Sequence, residues 1–222
     1  MESLSIVFTG PGKVELQRHE VLPPGPGRVL VETRRTLIST GTELICLHRR
    51  FEPGSHWDAW VKYPFSPGYS SAGVVREVGD GVEGLHPGDR VATRRPHRQF
   101  AIVNAVSALK IPEAVSDEEA IWFGLAGIVQ NGVRRAEHEL GDAVVVIGLG
   151  ILGQLVTQCT RLLGAREVIG IDTAPARLAM ARAHGATRIL EMPVGEAGPE
   201  VARLTDDRGA DVVYDVTGHA AV

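Results

Sequence analysis

Apolar positions follow two different periods along this chain. Up to residue 112 they come in short runs broken by turns. Leu4–Phe8 and Val14–Gln17 flank a Thr-Gly-Pro-Gly-Lys turn, and a proline- and glycine-rich stretch at 23–27 leads into Val29–Glu32, where Val29 and Val31 alternate with other residues. Ala72–Val78, a turn cluster over 79–89, Arg90–Thr93 and Phe100–Val103 continue the pattern. Regular turns with few helical stretches predict a compact, barrel-like β domain over residues 1–115.

The period changes at Ser116. Ser116 to Glu119 fits a capping box, and the apolar run Ala120–Val129 behind it predicts a helix, so residues 116–140 read as a helical connection. Strands are expected at Ala143–Ile147, Glu167–Ile171, Arg188–Leu190 and Asp211–Val216, and helices at Leu152–Leu163, Pro175–His184 and Pro199–Leu204. Gly164 and Gly185 sit where helices should end, and Pro175 and Pro199 suit first turns. Strand and helix alternating in this way predict βαβ units with a parallel sheet over 141–222.

Composition narrows the function classes. With 44% hydrophobic and 23% charged residues the chain can bury a core, which excludes a disordered or collagen-like protein. A net charge of −4 argues against nucleic acid as a partner. The two cysteines, Cys46 and Cys159, form no CxxC, so neither a disulfide framework nor a cysteine-rich zinc site is expected. Residues 143–160 carry no charge, but glycine, glutamine and threonine interrupt them, so no membrane span is read there. The N-terminus lacks the basic and long apolar regions of a signal peptide, and a cytoplasmic location is expected.

The strongest chemical signal is VVVIGLGILGQL, with Gly148, Gly150 and Gly153 in G-x-G-x-x-G spacing after a valine-rich strand and at the start of a helix. Such glycines allow the tight turn, the approach of a pyrophosphate and close helix–strand packing, and they leave helix amides facing the phosphates. Gly148, Leu149, Gly150, Ile151, Leu152 and Gly153 are therefore candidate cofactor contacts. Asp172, ending the next strand, suits the ribose hydroxyls and favours NAD over NADP; Arg177 nearby pulls the other way. Thr217, past the fourth strand, is a candidate contact on the nicotinamide side. The bland alternatives are glycines that only tighten a turn and an aspartate that only faces a helix dipole. The fold class is α/β, a β-rich domain followed by a partial Rossmann doubly wound parallel sheet.

Together, PGPGRVLVE, ISTGTEL, PGYSSAGVVREVGDGVEGLHPGDRVA and GLGILG resemble the medium-chain dehydrogenase/reductase superfamily, over essentially the whole chain. The resemblance implies an N-terminal GroES-like domain carrying the substrate site. It also implies hydride transfer between a nicotinamide cofactor and an alcohol or carbonyl, and a homodimer for full-length relatives. Zinc-dependent members carry a Cys where this chain has Thr40 and a His where it has Tyr69, and the four-cysteine zinc lobe gives way to TRRPHRQF, so no zinc is expected. The pair ISTGTE and PGYSSAG resembles the bacteriochlorophyllide a dehydrogenase-like subgroup. A large planar substrate would suit Phe51, Trp57, Trp60, Tyr63 and Phe65, and Arg94, Arg95 and Arg98 could meet a carboxylate; loop packing and solvated charge are the plainer readings.

The resemblance further assigns proton handling to Thr42, a position that relays the proton in zinc-dependent relatives, and to Tyr69 and Glu43, the latter able to orient Tyr69 or accept a proton. Thr40 completes the candidate catalytic set. The expected activity is a zinc-independent, NAD(P)-dependent alcohol dehydrogenase-like reaction on a small-molecule substrate. An enone or quinone reductase, an inactive NAD-binding protein and a truncated product are the alternatives. Four strands are expected where a dinucleotide-binding sheet has six, so the chain reads as the front part of such an enzyme.

Overall fold

The computed structural model describes residues 1–218 in two units, Met1–Gly124 and Leu125–Val222, the last four residues of the second lying outside the described residues.

In the first unit, β1 (Glu2–Gly10) and β2 (Lys13–Glu20) form an antiparallel hairpin across the expected turn. β3 (Arg28–Thr36), β4 (Ser71–Val78), β5 (Arg90–Thr93), β6 (Phe100–Asn104) and β7 (Leu109–Lys110) form a second antiparallel sheet in the order β6-β3-β4-β5-β7. Register explains its core: Val29 lies opposite Val103 and Val78, and Val31 opposite Ala101 and Val75, so β-branched side chains stack on one face. Each such buried valine contributes roughly 1.5–3 kcal/mol. The hairpin is tied back at two places. Phe8 and Phe65 exchange amide bonds of 2.8 and 2.9 Å, while Ile6 donates to His97 O at 3.0 Å and Gln99 donates to Leu4 O at 2.8 Å. Backbone bonds thereby reach beyond the two sheets, as a barrel-like domain requires.

Two helices of this unit carried no sequence signal: α1 (Thr40–His48) and α2 (His56–Trp60). A glycine and three β-branched residues in Thr40–Ile45 disguise α1. Its start is secured by a local bond, Glu43 Oε1 accepting from the Ser39 amide at 2.8 Å, and the same carboxylate is held from afar by His97. The capping box forms as expected, with Ser116 Oγ accepting from the Glu119 amide and Glu119 Oε2 from the Ser116 amide. The single helix expected behind it is instead two, α3 (Asp117–Ala120) and α4 (Phe123–Arg135). Ser70 Oγ donates to the Ile121 carbonyl, drawing off at the break an oxygen that a continuous helix would use itself.

The division between units falls inside α4. Val129 and Val133 of that helix pack with Val144, Val146 and Val156 of the second unit. There β8 (Ala143–Ile147), β9 (Glu167–Asp172), β10 (Arg188–Glu191) and β11 (Val212–Asp215) form a parallel sheet in the order β10-β9-β8-β11. α5 (Ile151–Leu162), α6 (Pro175–Ala183) and α7 (Gly198–Leu204) connect the strands. Numbered within this unit the order is 3-2-1-4, the first half of a doubly wound sheet extended by one strand past its switch point. Val144, Val146 and Val168 join one apolar layer and Val145, Ile169 and Ile171 another, so the central strands are buried on both faces. No helix among the described residues is long and apolar enough to cross a membrane.

Candidate active site and cofactor loop

In the second unit the loop between β8 and α5 is shaped by its glycines. Gly148 has a φ of +84°, and a Cβ there would lie 2.8 Å from Thr217 Cγ2. A Cβ on Gly153 would lie 2.0 Å from the Gly148 carbonyl oxygen, so nothing but glycine allows α5 this close to the strand. Gly150 differs: a Cβ would meet no atom within 4 Å, so space is open above it. It serves as the N-cap of α5 without a side-chain cap, and the amides of Ile151 and Leu152 have no backbone acceptor among the described residues. An open concavity with free helix amides is what a phosphate needs. Thr217, following β11, stands beside Gly148 with its amide and hydroxyl donating to Asp215 Oδ1 at 2.9 and 2.7 Å.

Leu149 plays a different part from the one expected. Its side chain is fully buried in the core, and its amide donates to Asp172 Oδ2 at 2.7 Å. It is thus an anchor of the loop rather than a contact surface. Leu152 likewise packs against the same core, which leaves its amide as the group able to meet a ligand. Asp172 sits at the end of β9, where the motif places it, and its other oxygen accepts from the Ala174 amide at 2.8 Å. Burial pushes its pKa up, but the amides of Leu149 and Ala174 and the Arg177 guanidinium at 3.4 Å outweigh burial and hold it below the usual carboxylate range. Asp172 is therefore a charged fastener between the two βα loops. Oδ2 takes both the Leu149 amide and Arg177, whereas Oδ1, with the Ala174 amide alone, retains a second lone pair for a further donor. Gln154, which carried no sequence signal, is buried and bonds the carbonyls of Leu149 and Arg177 at 2.9 Å each, fixing α5 against α6.

In the first unit the structure gathers part of the expected catalytic set. Tyr69 Oη donates to Ser39 Oγ at 2.7 Å, the Ser39 amide donates to Glu43 Oε1, and Glu43 Oε2 meets His97 Nε2 at 2.9 Å. Glu43 does not orient Tyr69 directly as the motif suggested; Ser39 stands between them. Glu43 and His97 are 7% and 5% exposed, and His97 Nδ1 has no partner among the described residues. Gly68 makes room for the ring, since a Cβ there would lie 2.8 Å from it. Thr40 is exposed, Thr42 half-buried, and neither hydroxyl joins this network. His97 escaped the motif reading because its partner is 54 positions away and no histidine spacing marks it.

The donors at the expected metal positions do not fit zinc. They are hydroxyls, not thiolate or imidazole, and that of Tyr69 keeps its proton, which it donates to Ser39 Oγ. Cys46 is 1% exposed, its thiol pushed up to about 11 by burial and then by Glu43. Among the described residues no group of three His, Cys, Asp or Glu side chains is placed to hold a metal ion. Phe51, Trp57, Tyr63 and Phe65 pack around Phe8, Cys46 and Val61, while Trp60, edge-on to Phe65 at 5.3 Å, is half-exposed. Arg94 lies over the Phe123 ring at 5.9 Å.

Residues 25–113 match the alcohol dehydrogenase GroES-like domain family, and residues 152–222 match the zinc-binding dehydrogenases. The chain belongs to the medium-chain dehydrogenase/reductase superfamily. The D-guloside 3-dehydrogenase of Escherichia coli (strain K12) is 37% identical over 160 residues, spanning 70% of this chain and 45% of its own. The sorbitol dehydrogenase of Ovis aries is 29% identical over 236 residues, 92% of this chain and 65% of its own. A quinone oxidoreductase structure from Pseudomonas syringae pv. tomato DC3000 superposes with a TM-score of 0.81 at 27% identity, covering 98% of this chain and 67% of that one. The chain thus spans about half to two-thirds of the length of these superfamily members.

Proposed function

We propose that the chain serves a nicotinamide-dependent oxidoreductase that moves a hydride between the cofactor and an alcohol or carbonyl carbon, preferring NAD to NADP and using no catalytic zinc. The observation that carries this reading is the loop from Gly148 to Gly153, open above Gly150, with the Asp172 carboxylate beside it. A bound nicotinamide would supply the hydride acceptor or donor. The chain's own residues would do the rest. The amides of Ile151 and Leu152 would hold the pyrophosphate, and the charged Asp172 would receive ribose hydroxyls and repel a 2′-phosphate. In the alcohol-to-carbonyl direction the carbon loses a hydride and the hydroxyl a proton. Tyr69, held by its bond to Ser39, is the group proposed to hydrogen-bond that oxygen, and the proton is released to water.

The names of the guloside and sorbitol dehydrogenases direct the first assays to hydroxyls of sugars and polyols. The quinone oxidoreductase supports a second reading, hydride delivery to a quinone or enone, which needs no metal either. Fluorescence titration with NADH and NADPH tests the cofactor. NADH binding more tightly is expected, and binding of neither would sink the proposal. Formation of NADH with sorbitol or guloside, against NADH consumption with a quinone, then separates the two reactions.

A further inference from the structure

Arg98 belongs to the arginine run that the redox reading leaves unused. From residue 98 to 102 the chain is extended, bridged to Ser5 and continuing into β6, an edge strand. Side chains alternate along such a segment, so Arg98, Phe100 and Ile102 share one face, while His97, Ala101 and Val103 are buried on the other. The three half-buried residues line a pocket of about 360 Å³, faced by His19, Glu20, Leu22 and Arg28. Arg98 Nε is sealed from solvent without an acceptor, and its guanidinium makes no hydrogen bond or ion pair among the described residues. Burial, and after it the like charge of Arg95, holds its pKa below the ordinary arginine value. A partly buried cation left without an acceptor is costly, and a ligand anion would relieve that cost.

We propose that this pocket binds a small organic carboxylate with an aromatic or branched apolar body, the carboxylate on Arg98 and the body against Phe100 and Ile102. The planar guanidinium fork matches a carboxylate. Arg28 and Glu20 cancel in formal charge, which leaves the charge of Arg98 in excess among the lining. A bare inorganic oxyanion would leave the apolar wall uncovered, whereas one ring fits a volume of this size. The inference does not rest on the redox reading.

Calorimetric titration of the full chain with sodium benzoate tests it, beside benzyl alcohol, which keeps the body and lacks the charge, and inorganic phosphate, which does the reverse. Benzoate should bind about tenfold more tightly than either, and Arg98→Met should weaken it about tenfold while Arg98→Lys retains part. Should Arg98→Met not fold, Leu22→Asp serves instead: Leu22 is 67% exposed, and a carboxylate there should repel benzoate. Benzoate binding no tighter than the other two probes, or unaffected by these substitutions, overturns the proposal.

Discussion

Glu43 and His97 meet at 2.9 Å, carboxylate to imidazole, where both are more than nine-tenths buried. A pair so placed is held by geometry, because either partner alone would leave a polar group unpaired away from water. His97→Ala should therefore destabilise the first unit by about 3–5 kcal/mol. Glu43→Gln, which keeps the shape and one acceptor, should cost less. Urea unfolding followed through the tryptophans, all of them in the first unit, measures both, and equal small losses would show the pair to be idle.

The two glycines flanking Ile151 and Leu152 should respond oppositely to a methyl group. Gly150→Ala meets no atom within 4 Å and has ordinary backbone angles, so stability should hold while NADH affinity falls tenfold or more, at about 1.4 kcal/mol per decade. Gly153→Ala would place its methyl 2.0 Å from a carbonyl oxygen, so the second unit should lose stability by about 1–3 kcal/mol from overpacking alone. Thermal melts and cofactor titrations of both variants decide this.

Asp172 predicts an acid limb. Its folded pKa lies below that of an unfolded aspartate, about 3.9, so its stabilisation is complete above that value and is lost as pH falls through the folded pKa. Asp172→Asn should lower the melting temperature at neutral pH, since an amide leaves a loop N–H without its charged acceptor at about 1–3 kcal/mol. Near pH 3 the gap between wild type and variant should narrow. A gap constant with pH would mean that the carboxylate charge contributes nothing.

Tyr69→Phe removes the hydroxyl and with it the bond to Ser39. Turnover on whichever alcohol or carbonyl supports it should fall about a hundredfold, with NADH affinity unchanged. Undiminished turnover would take Tyr69 out of the chemistry.

Elements with their own period or cap could be read from residues alone. β8 was placed to the residue, β9, β10, α5 and α6 within two, and the capping box at Ser116 atom for atom, because each depends on neighbours in sequence. The glycine loop belongs with them: its turn, close approach and helix start lie within six residues. What the residues alone could not show depends on partners far along the chain. α1 begins on a glutamate that also answers His97, and the helix behind Ser116 breaks where Ser70 takes a carbonyl. Leu149 looked like a ligand contact until the core claimed its side chain and Asp172 its amide. Periodicity and glycine spacing are local, so the two-unit α/β plan and the glycine loop were legible in the residues alone. The Tyr69–Ser39–Glu43–His97 network and the pocket around Arg98 arise from long-range packing. A hydrogen bond across 54 residues leaves no spacing to read, and whether a charge is buried depends on everything packed around it.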